Sequence, residues 1–387
     1  MHVLHRSRLV KCQAPKLHHT HIYYLLLINT LMHNKYLIAI FTLLFLMQTP
    51  LQAQIHDKSE QDFRSALLAY KNQDYLSAYK LLTPLAKKNY PQAQAQLAYM
   101  YEYGIGIKKD QAEANKLYKK LLNQYIESAM QGNAEAQYHV GQLYYAGKGA
   151  PENVPEAMRW YLKAGEQGHL ESQYKLALLF DSGEKAPRDA KMAVNWYTKA
   201  AQQGHAKSQM FLAIKYYRGR DVAQDYSNAA KWFQKSAEQG MAYSQSALGF
   251  MHASGQGVKE DKQQALYWYR KGAEQGDKDS QYDLGMKLKK GDGVPRSIRE
   301  SAQWFTKSAE QGQMAAQFEL AQMYAKGEGL KMDAVLAYAW YNVAIINGHY
   351  PASKLRDILA KTMSADQLAE AEQLSSMWKF GQTIARE

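Results

Sequence analysis

The sequence predicts an all-α fold, a right-handed superhelix (solenoid) of helix pairs that repeat every 36 residues. Three sets of residues keep this period through most of the chain. The first set consists of glycines at positions 132, 168, 204, 240, 276, 312 and 348. The second is a tryptophan followed by Tyr or Phe, at Trp160, Trp196, Trp232, Trp268, Trp304 and Trp340. The third set is Gln137, Gln173, Gln209, Gln245, Gln281 and Gln317. Three residue types in one register indicate stacked copies of a single unit.

Each unit is expected to begin with a helix, as in residues 134–146. There Gln137, Val140, Gly141 and Tyr144 fall on one helical face. A G-x-G turn such as Gly255–Gly257 then ends the helix, because glycine adopts the positive φ that such an end requires. A phosphate-binding loop is not indicated, since no strand precedes these glycines and no GK[ST] follows them.

The second helix of each unit has a periodic start signal. The expected N-cap residues are Asp110, Asn153, Asp189, Asp225, Asp261, Ser297 and Asp333. In four units a Glu or Gln three residues later predicts a capping box, namely Glu113, Glu156, Gln264 and Glu300. Because a residue of a cap type recurs at this position in every unit, we interpret the acidic residues among them as helix caps and not as catalytic carboxylates.

Seven repeats are predicted over residues 92–349, preceded by a capping helix pair in residues 54–91 and followed by capping helices in residues 350–387. Terminal units of a solenoid bury one side only, so their sequences depart from the repeat. The first repeat carries a seven-residue insertion between Leu117 and Ala129. Seven residues are close to two helical turns, so we expect a longer second helix there.

Residues 32–53 resemble a signal peptide, with a basic start, an apolar segment and a polar end at Ala53. The apolar segment is shorter than the ~20 residues that span a bilayer. Cleavage after Ala53 would place the mature protein in the periplasm or outside the cell. An uncleaved anchor, which would tie the protein to a membrane, is the alternative. Residues 1–31 are interpreted as a mis-assigned upstream extension.

Charge and cysteine content exclude several classes of function. The net charge is +12, but five of the basic residues and none of the acidic residues lie in residues 1–53. The remaining 334 residues hold 43 basic and 36 acidic residues, a net charge of +7 that is spread over this length, so no nucleic-acid partner is predicted. The single cysteine, Cys12, excludes a disulfide framework and a thiolate zinc site. The periodic His169, His205 and His349 occupy the same place in their units, and even neighbouring units are too far apart for these side chains to share a metal ion, so no metal and no cofactor are expected.

The repeating pattern A-x-A-Q-x-x-L-G-x-M-Y-x-x-G-x-G…D-x-x-x-A-x-x-W-[YF]-x-K-A-A-E-Q-G is clearest from Ser244 to Gly276. It resembles the Sel-one-like repeat, a relative of the tetratricopeptide repeat. This resemblance implies tetratricopeptide-like helix pairs and adaptor or scaffold roles in protein complexes. The chain departs from the pattern at single positions: only Gly183 of one glycine pair remains, Arg220-Asp221 follows Gly219, and Lys215 and Lys287 replace apolar residues.

The preferred function is therefore a non-enzymatic scaffold for protein–protein interaction in the bacterial envelope or secreted space. One alternative is an envelope enzyme acting on β-lactams or peptidoglycan, since S-x-x-K occurs at Ser77–Lys80 and Ser172–Lys175. Neither K-T-G nor S-D-N accompanies these motifs. A second alternative is a polyanion or membrane-surface binder that uses the periodic Lys163, Lys199, Lys235, Lys271 and Lys307. The tryptophans are expected to fill the core and not to form a ligand-stacking ladder.

A partner is expected on the face of each first helix that the repeat leaves variable. At 100° per residue, positions equivalent to 138, 142 and 145 point away from the stack. In a right-handed stack this face would line the concave groove, and here it is unusually apolar, which is typical of a partner site for a protein or peptide. Packing between neighbouring first helices is the alternative explanation for part of the set. The set is Tyr138, Tyr145, Tyr174, Leu178, Met210, Ile214, Tyr217, Phe250, Tyr282, Met286 and Phe318.

Overall fold

The computed structural model describes residues 58–384, and within this range every regular element is an α-helix. This confirms the predicted all-α class. The predicted upstream extension, signal peptide and cleavage site lie outside the described residues. The eighteen helices of the described range are α1 (residues 58–71), α2 (Tyr75–Lys87), α3 (Pro91–Tyr103), α4 (Gln111–Met130), α5 (Ala134–Ala146), α6 (Val154–Glu166), α7 (Leu170–Ser182), α8 (Ala190–Gln202), α9 (Ala206–Arg218), α10 (Tyr226–Glu238), α11 (Ala242–Ser254), α12 (Lys262–Glu274), α13 (Lys278–Lys290), α14 (Ile298–Glu310), α15 (Met314–Lys326), α16 (Ala334–Ile346), α17 (Ala352–Ala360) and α18 (Ala365–Met377).

These helices form seven consecutive pairs, from α3–α4 in repeat one to α15–α16 in repeat seven. The first helix of each pair is called helix A and the second helix B. Helix α4 has 20 residues and the other B helices have 13, the difference expected from the insertion in the first repeat. No helix within residues 58–384 combines the length and the apolar composition that a membrane span requires.

The chain divides into two compact units at Leu121–Leu122. In the first unit, a core of Ala66, Leu82, Leu85, Leu97 and Met100 joins α1 to the first repeat. In the second unit, each A helix from α5 to α15 packs on the B helix that follows it, and each A helix from α7 to α15 also packs on the B helix before it. The terminal helices α17 and α18 pack on α16 and cover the end of the stack.

Helix ends in the second unit follow from local sequence. A helices end at a glycine in the left-handed region, for example Gly255 with φ of 68°. Two residues later, a Cβ at Gly257 would lie 2.1 Å from the carbonyl oxygen of Tyr226, so glycine is required there. B helices begin at the predicted caps: the Asn153 side chain accepts a hydrogen bond from the backbone of Glu156. The predicted cap at Ser297 is wrong in one respect, because its side chain makes no capping hydrogen bond.

Of the two adjacent aromatics in the B helices of repeats two to seven, the residue after tryptophan is the more consistently buried. These residues are Tyr161, Tyr197, Phe233, Tyr269, Phe305 and Tyr341, all 3 % exposed or less. Four of the six repeat tryptophans are buried, as predicted. Trp232 and Trp304 are only partly buried, so the prediction that every repeat tryptophan fills the core is wrong for these two. Helix A approaches these rings closely, since a Cβ at Gly285 would lie 2.7 Å from the Phe305 ring.

The periodic glutamines tie each repeat to the one before it. The Gln245 side-chain amide donates to the carbonyl oxygen of Ala237 at 3.0 Å, in the last turn of the preceding helix B. Its side-chain oxygen accepts from Gln275 at 2.7 Å. The same two bonds recur in repeats two to seven, with Asn347 as the donor in the last. A buried amide that fills both roles explains why this position does not vary.

We expect Gln245→Leu to lower the free energy of unfolding by about 1–3 kcal/mol, since it removes two hydrogen bonds that contribute about 0.5–1.5 kcal/mol each. Denaturant unfolding followed by circular dichroism measures this change. The matched control is Gln202→Ala at an exposed position, for which a change within about 0.5 kcal/mol is expected. Equal effects of the two substitutions would contradict the role given to the periodic glutamine.

The departures from the repeat in repeat four belong to one ionic cluster. Lys215 is 5 % exposed and occupies a position that holds Leu143, Leu179, Met251 and Met323 in other repeats. Its ammonium group lies 2.7 Å from Asp181 and 2.8 Å from Asp221. Asp221 stands where repeat five has Gly257, adopts φ of 70°, and also receives a hydrogen bond from Arg188 at 2.6 Å. The aspartate therefore replaces a glycine because it neutralises the buried lysine.

Repeat six contains a related ionic cluster. Lys287 lies 2.5 Å from Asp292, which also pairs with Lys262 at 2.9 Å. Hydrogen bonds from Lys287 and Lys262 lower the pKa of Asp292 to about 2, against a partial opposing effect of burial.

Because this pKa is lower when the protein is folded, Asp292 contributes stability that is fully present above about pH 4 and is lost as the pH falls towards 2. We expect Asp292→Asn to be less stable than the unmodified chain at pH 7. The difference should shrink between about pH 4 and pH 2. Urea unfolding at several pH values measures it, and a difference independent of pH in this window would contradict the ionic explanation.

Candidate functional site

The eleven residues predicted to contact a partner are called the A-helix face. Tyr138 is 9 % exposed and belongs to the core, so it is not available as a contact surface. Phe250 is 45 % exposed. The other nine are half-buried, with their inner sides against the core and their outer sides open.

Part of this face is covered by histidines in the turn that follows a helix B. The Tyr174 ring lies 4.5 Å from that of His205, and Phe318 stacks on His349 at 4.4 Å. His205 also caps its helix, because its Nδ1 accepts a hydrogen bond from the backbone of Ser208. Burial lowers the pKa of His205, which keeps this nitrogen available as an acceptor. The alternative of packing between neighbouring repeats therefore explains these positions in part.

One histidine cap resembles a catalytic triad. His169 Nδ1 lies 3.0 Å from the Ser172 hydroxyl, and its Nε2 lies 2.9 Å from Glu135. However, Ser172 has no exposed surface and its hydroxyl faces the core, so it does not reach a substrate. The same Ser–His contact recurs one repeat later at Ser208 and His205, where the serine is again fully buried. We interpret both as helix caps and not as acyl-enzyme centres.

The centre of the A-helix face opens into a pocket formed by three consecutive repeats. This central pocket has a volume of ≈ 260 Å³ and lies between helices α9, α11 and α13, above Phe233 of α10. Its apolar walls include Tyr243 and Phe250, which are 47 % and 45 % exposed. The lining residues are Ile214, Tyr217, Arg218, Phe233, Tyr243, Ser246, Ala247, Phe250, Asp277, Asp279 and Asp283.

A second pocket adjoins the central one and shares Ile214, Arg218 and Tyr243 with it. This neighbouring pocket has a volume of ≈ 450 Å³ and is apolar on the side of Met210 and Phe211. Its polar lining is mainly basic, with Lys215, Arg218 and Arg220 facing the single Asp181. The two pockets together form a continuous surface with an acidic end and a basic end.

The acidic end of this surface lies at the start of helix α13. Asp277 caps this helix through a 2.7 Å hydrogen bond from the backbone of Ser280. Asp279 is exposed in the first turn, and Asp283 lies one turn further into the pocket. Burial and the charge of Asp279 raise the pKa of Asp283 to about 6, against an opposing effect of Tyr269 and Lys287. Asp283 is therefore mostly ionised at neutral pH, but at a cost in free energy.

Tyr243 and the three aspartates were not predicted as site residues. Tyr243 occupies a position that holds Glu135, Glu171, Lys207 and Asp279 in four other repeats and Gln92 and Ala315 in the remaining two, so an aromatic side chain occurs there only in repeat five. Asp283 likewise stands where Phe211 and Ala247 occur in the two preceding repeats. Comparison of equivalent positions among the repeats, and not the helical wheel alone, is the signal that identifies them.

The periodic lysines of the B helices lie over aromatic rings. Lys163 and Lys199, for example, place their ammonium groups 4.2 and 4.1 Å from the ring centres of Trp160 and Trp196. Lys235 and Lys307 make the same contact, whereas Lys271 lies over Tyr267. Such contacts stabilise an exposed ammonium group by about 0.5–1 kcal/mol. The lysine series thus contributes to the packing of the outer surface. Within residues 58–384, no group of three or more His, Cys, Asp or Glu side chains is arranged to hold a metal ion.

Comparison with known proteins identifies the repeat. A family model of the Sel1 repeat matches seven segments, which are residues 91–124, 134–169, 170–205, 206–241, 242–277, 278–313 and 315–349. No curated protein matches the chain.

Two solved structures show what the chain is similar to. A Sel1 repeat protein from Oxalobacter formigenes shares 30% identity over 80% of this chain and 91% of that chain, with a TM-score of 0.58. The protein c5321, a protective antigen of uropathogenic Escherichia coli strains with an SLR fold, shares 29% identity over 85% of this chain and 86% of that chain, with a TM-score of 0.44. Because the repeat model matches more than half of the sequence, the chain belongs to the Sel1 repeat family.

Proposed function

We propose that the protein is a non-catalytic scaffold that binds a protein or an extended peptide on its A-helix face, at the central pocket and its neighbour. Folds of the Sel1 and tetratricopeptide type are typical of protein-interaction scaffolds, which supports this class of function. The observation that carries the proposal is the pair of exposed aromatic side chains, Tyr243 and Phe250, at the wall of an open pocket. Exposed aromatics beside a pocket are typical of the few residues that dominate binding energy.

We further propose that the scaffold acts outside the cytoplasm. The support is the signal-like pattern of residues 32–53, together with the absence of cysteine after Cys12, which suits an oxidising compartment. N-terminal sequencing of exported protein should begin at Gln54. Recovery of a cytosolic chain that begins at Met1 would contradict export.

The experiment for binding is selection of a random dodecapeptide display library on the full chain. Peptides should be enriched, and Tyr243→Ala with Phe250→Ala should weaken their binding more than tenfold, because aromatic anchors contribute about 2 kcal/mol or more. The melting temperature should change little, since both side chains are exposed. Fluorescence anisotropy with a selected peptide measures the affinity.

The matched control is Tyr350→Ala with Phe380→Ala, which removes two aromatic side chains that are 73 % and 72 % exposed and lie outside both pockets. Affinity should be unchanged in this variant. Failure to enrich any peptide, or equal losses in the two variants, would contradict the proposal. Selected peptides that are rich in acidic residues and whose binding disappears at high salt would instead favour the polyanion alternative.

A further inference from the structure

We propose that the central pocket receives a positively charged side chain, arginine or lysine, from the partner polypeptide, with an apolar neighbour packed on Tyr243 and Phe250. This inference rests on the proposed function and states the chemistry of the partner. The inference is based on three features of the pocket, namely its size, its aromatic wall and its unbalanced charge.

The size of the central pocket fits one side chain. Sites for small molecules usually enclose about 300–1,000 Å³, whereas this pocket encloses ≈ 260 Å³ and is open to the surface. Its wall of Tyr217, Tyr243 and Phe250 offers aromatic faces. A cation over such a face gains about 0.5–2 kcal/mol, and the aliphatic part of arginine or lysine packs well against it.

The charge of the lining is unbalanced. Asp277, Asp279 and Asp283 face one cation, Arg218. Lys278, which lies between Asp277 and Asp279 in the sequence, does not line the pocket. Two lysines later in the same helix have other partners, because Lys287 pairs with Asp292 and Lys289 pairs with Glu319. The three carboxylates therefore present a net negative surface to whatever enters.

The stability of helix α13 explains only two of the three aspartates. Asp277 is a helix cap, and Asp279 in the first turn is favoured by the positive end of the helix dipole. Asp283 lies in the second turn, where neither reason applies. Its raised pKa shows that its surroundings in the free protein disfavour the charged form. A cationic side chain beside it would supply the missing opposite charge, and arginine would donate to a carboxylate through two parallel hydrogen bonds.

The test uses the same random dodecapeptide library on the full chain. Selected peptides should contain arginine or lysine next to an apolar residue more often than the unselected library. One selected peptide is then compared with its analogue in which citrulline, a neutral isostere, replaces arginine, or acetyl-lysine replaces lysine. Affinity for the charged peptide should fall at least tenfold in the variant with Asp279→Asn and Asp283→Asn. Affinity for the neutral analogue should change less than twofold.

The matched control is Glu127→Gln with Glu166→Gln, two exposed carboxylates outside the pockets, which should leave both affinities within twofold. If the double variant loses helical content, Asp279→Asn alone, at an exposed position, replaces it in the affinity measurement. Selected peptides without basic residues, or equal affinity of the charged peptide for the unmodified chain and the Asn variant, would overturn the inference. If the Tyr243 and Phe250 variant still loses binding in that case, the proposed function stands. If no peptide is enriched, both fail.

Discussion

Replacing Phe233 by alanine is expected to lower the free energy of unfolding by about 3–5 kcal/mol, the range for a buried aromatic side chain. Phe233 is 2 % exposed and shares a core cluster with Ala213, Leu248 and Met251. These neighbours come from the A helices of repeats four and five, so the substitution opens a cavity where two repeats meet. Rigid helix backbones on both sides limit how far the cavity can close.

The adjacent Trp232 is the matched control, because it lies in the same helix but is only partly buried. We expect Trp232→Ala to lower the free energy of unfolding by about 1–2 kcal/mol, which reflects partial burial and the lost contact with Lys235. Denaturant unfolding measures both changes, and hydrogen exchange of α9–α11 localises them. A larger effect for Trp232→Ala than for Phe233→Ala would contradict the assignment of the core aromatic.

The contrast between these two residues shows what the sequence could predict. Repetition fixes the unit, its caps and its glycines, so helix α5 ends where the sequence places it, at Ala134 and Ala146. It does not decide which of two adjacent aromatics faces inward, since both recur every 36 residues. That choice depends on a rotation of 100° about the helix axis and on how closely the A helices approach, which only the packing reveals.

The candidate site was predictable to a lesser degree. The helical wheel identified Ile214, Tyr217 and Phe250, because an unoccupied face of a helix follows from periodicity alone. It did not anticipate that His205 covers Tyr174, since this contact joins the end of one repeat to the start of the next. The central pocket itself is built from residues 214 to 283, and no local pattern marks side chains so far apart in sequence.

The ionic cluster of repeat four illustrates a second limit. In the sequence, Lys215 and Asp221 are two unrelated departures from the repeat, one in a helix and one in a turn. In the structure each explains the other, because a buried ammonium group needs a carboxylate within hydrogen-bonding distance. Burial alone would raise the pKa of Asp221, but the hydrogen bonds from Lys215 and Arg188 lower it overall. Asp221 is thus stabilised in its ionised form.

This dependence predicts a large effect when both acidic partners are removed together. Asp181→Asn with Asp221→Gly leaves Lys215 buried without an anion, and we expect a loss of about 3–5 kcal/mol of unfolding free energy. Asp221→Gly introduces the residue that repeat five has at the same position and removes a non-glycine residue from positive φ. Relief of backbone strain at this position should stabilise the fold slightly. The unpaired charge of Lys215 should destabilise it by several times as much, so a net loss of stability is expected.

Adding Lys215→Met to these two substitutions should restore most of the lost stability, because methionine occupies this position in repeats five and seven. Lys215→Met alone completes the comparison, and its loss of stability should be smaller, since Asp221 keeps its hydrogen bond from Arg188. Denaturant unfolding of these three variants and the unmodified chain at neutral pH gives the interaction energy of the lysine with its two carboxylates. If the triple variant is no more stable than the double one, then Lys215 is not the reason that repeat four carries an aspartate in place of glycine.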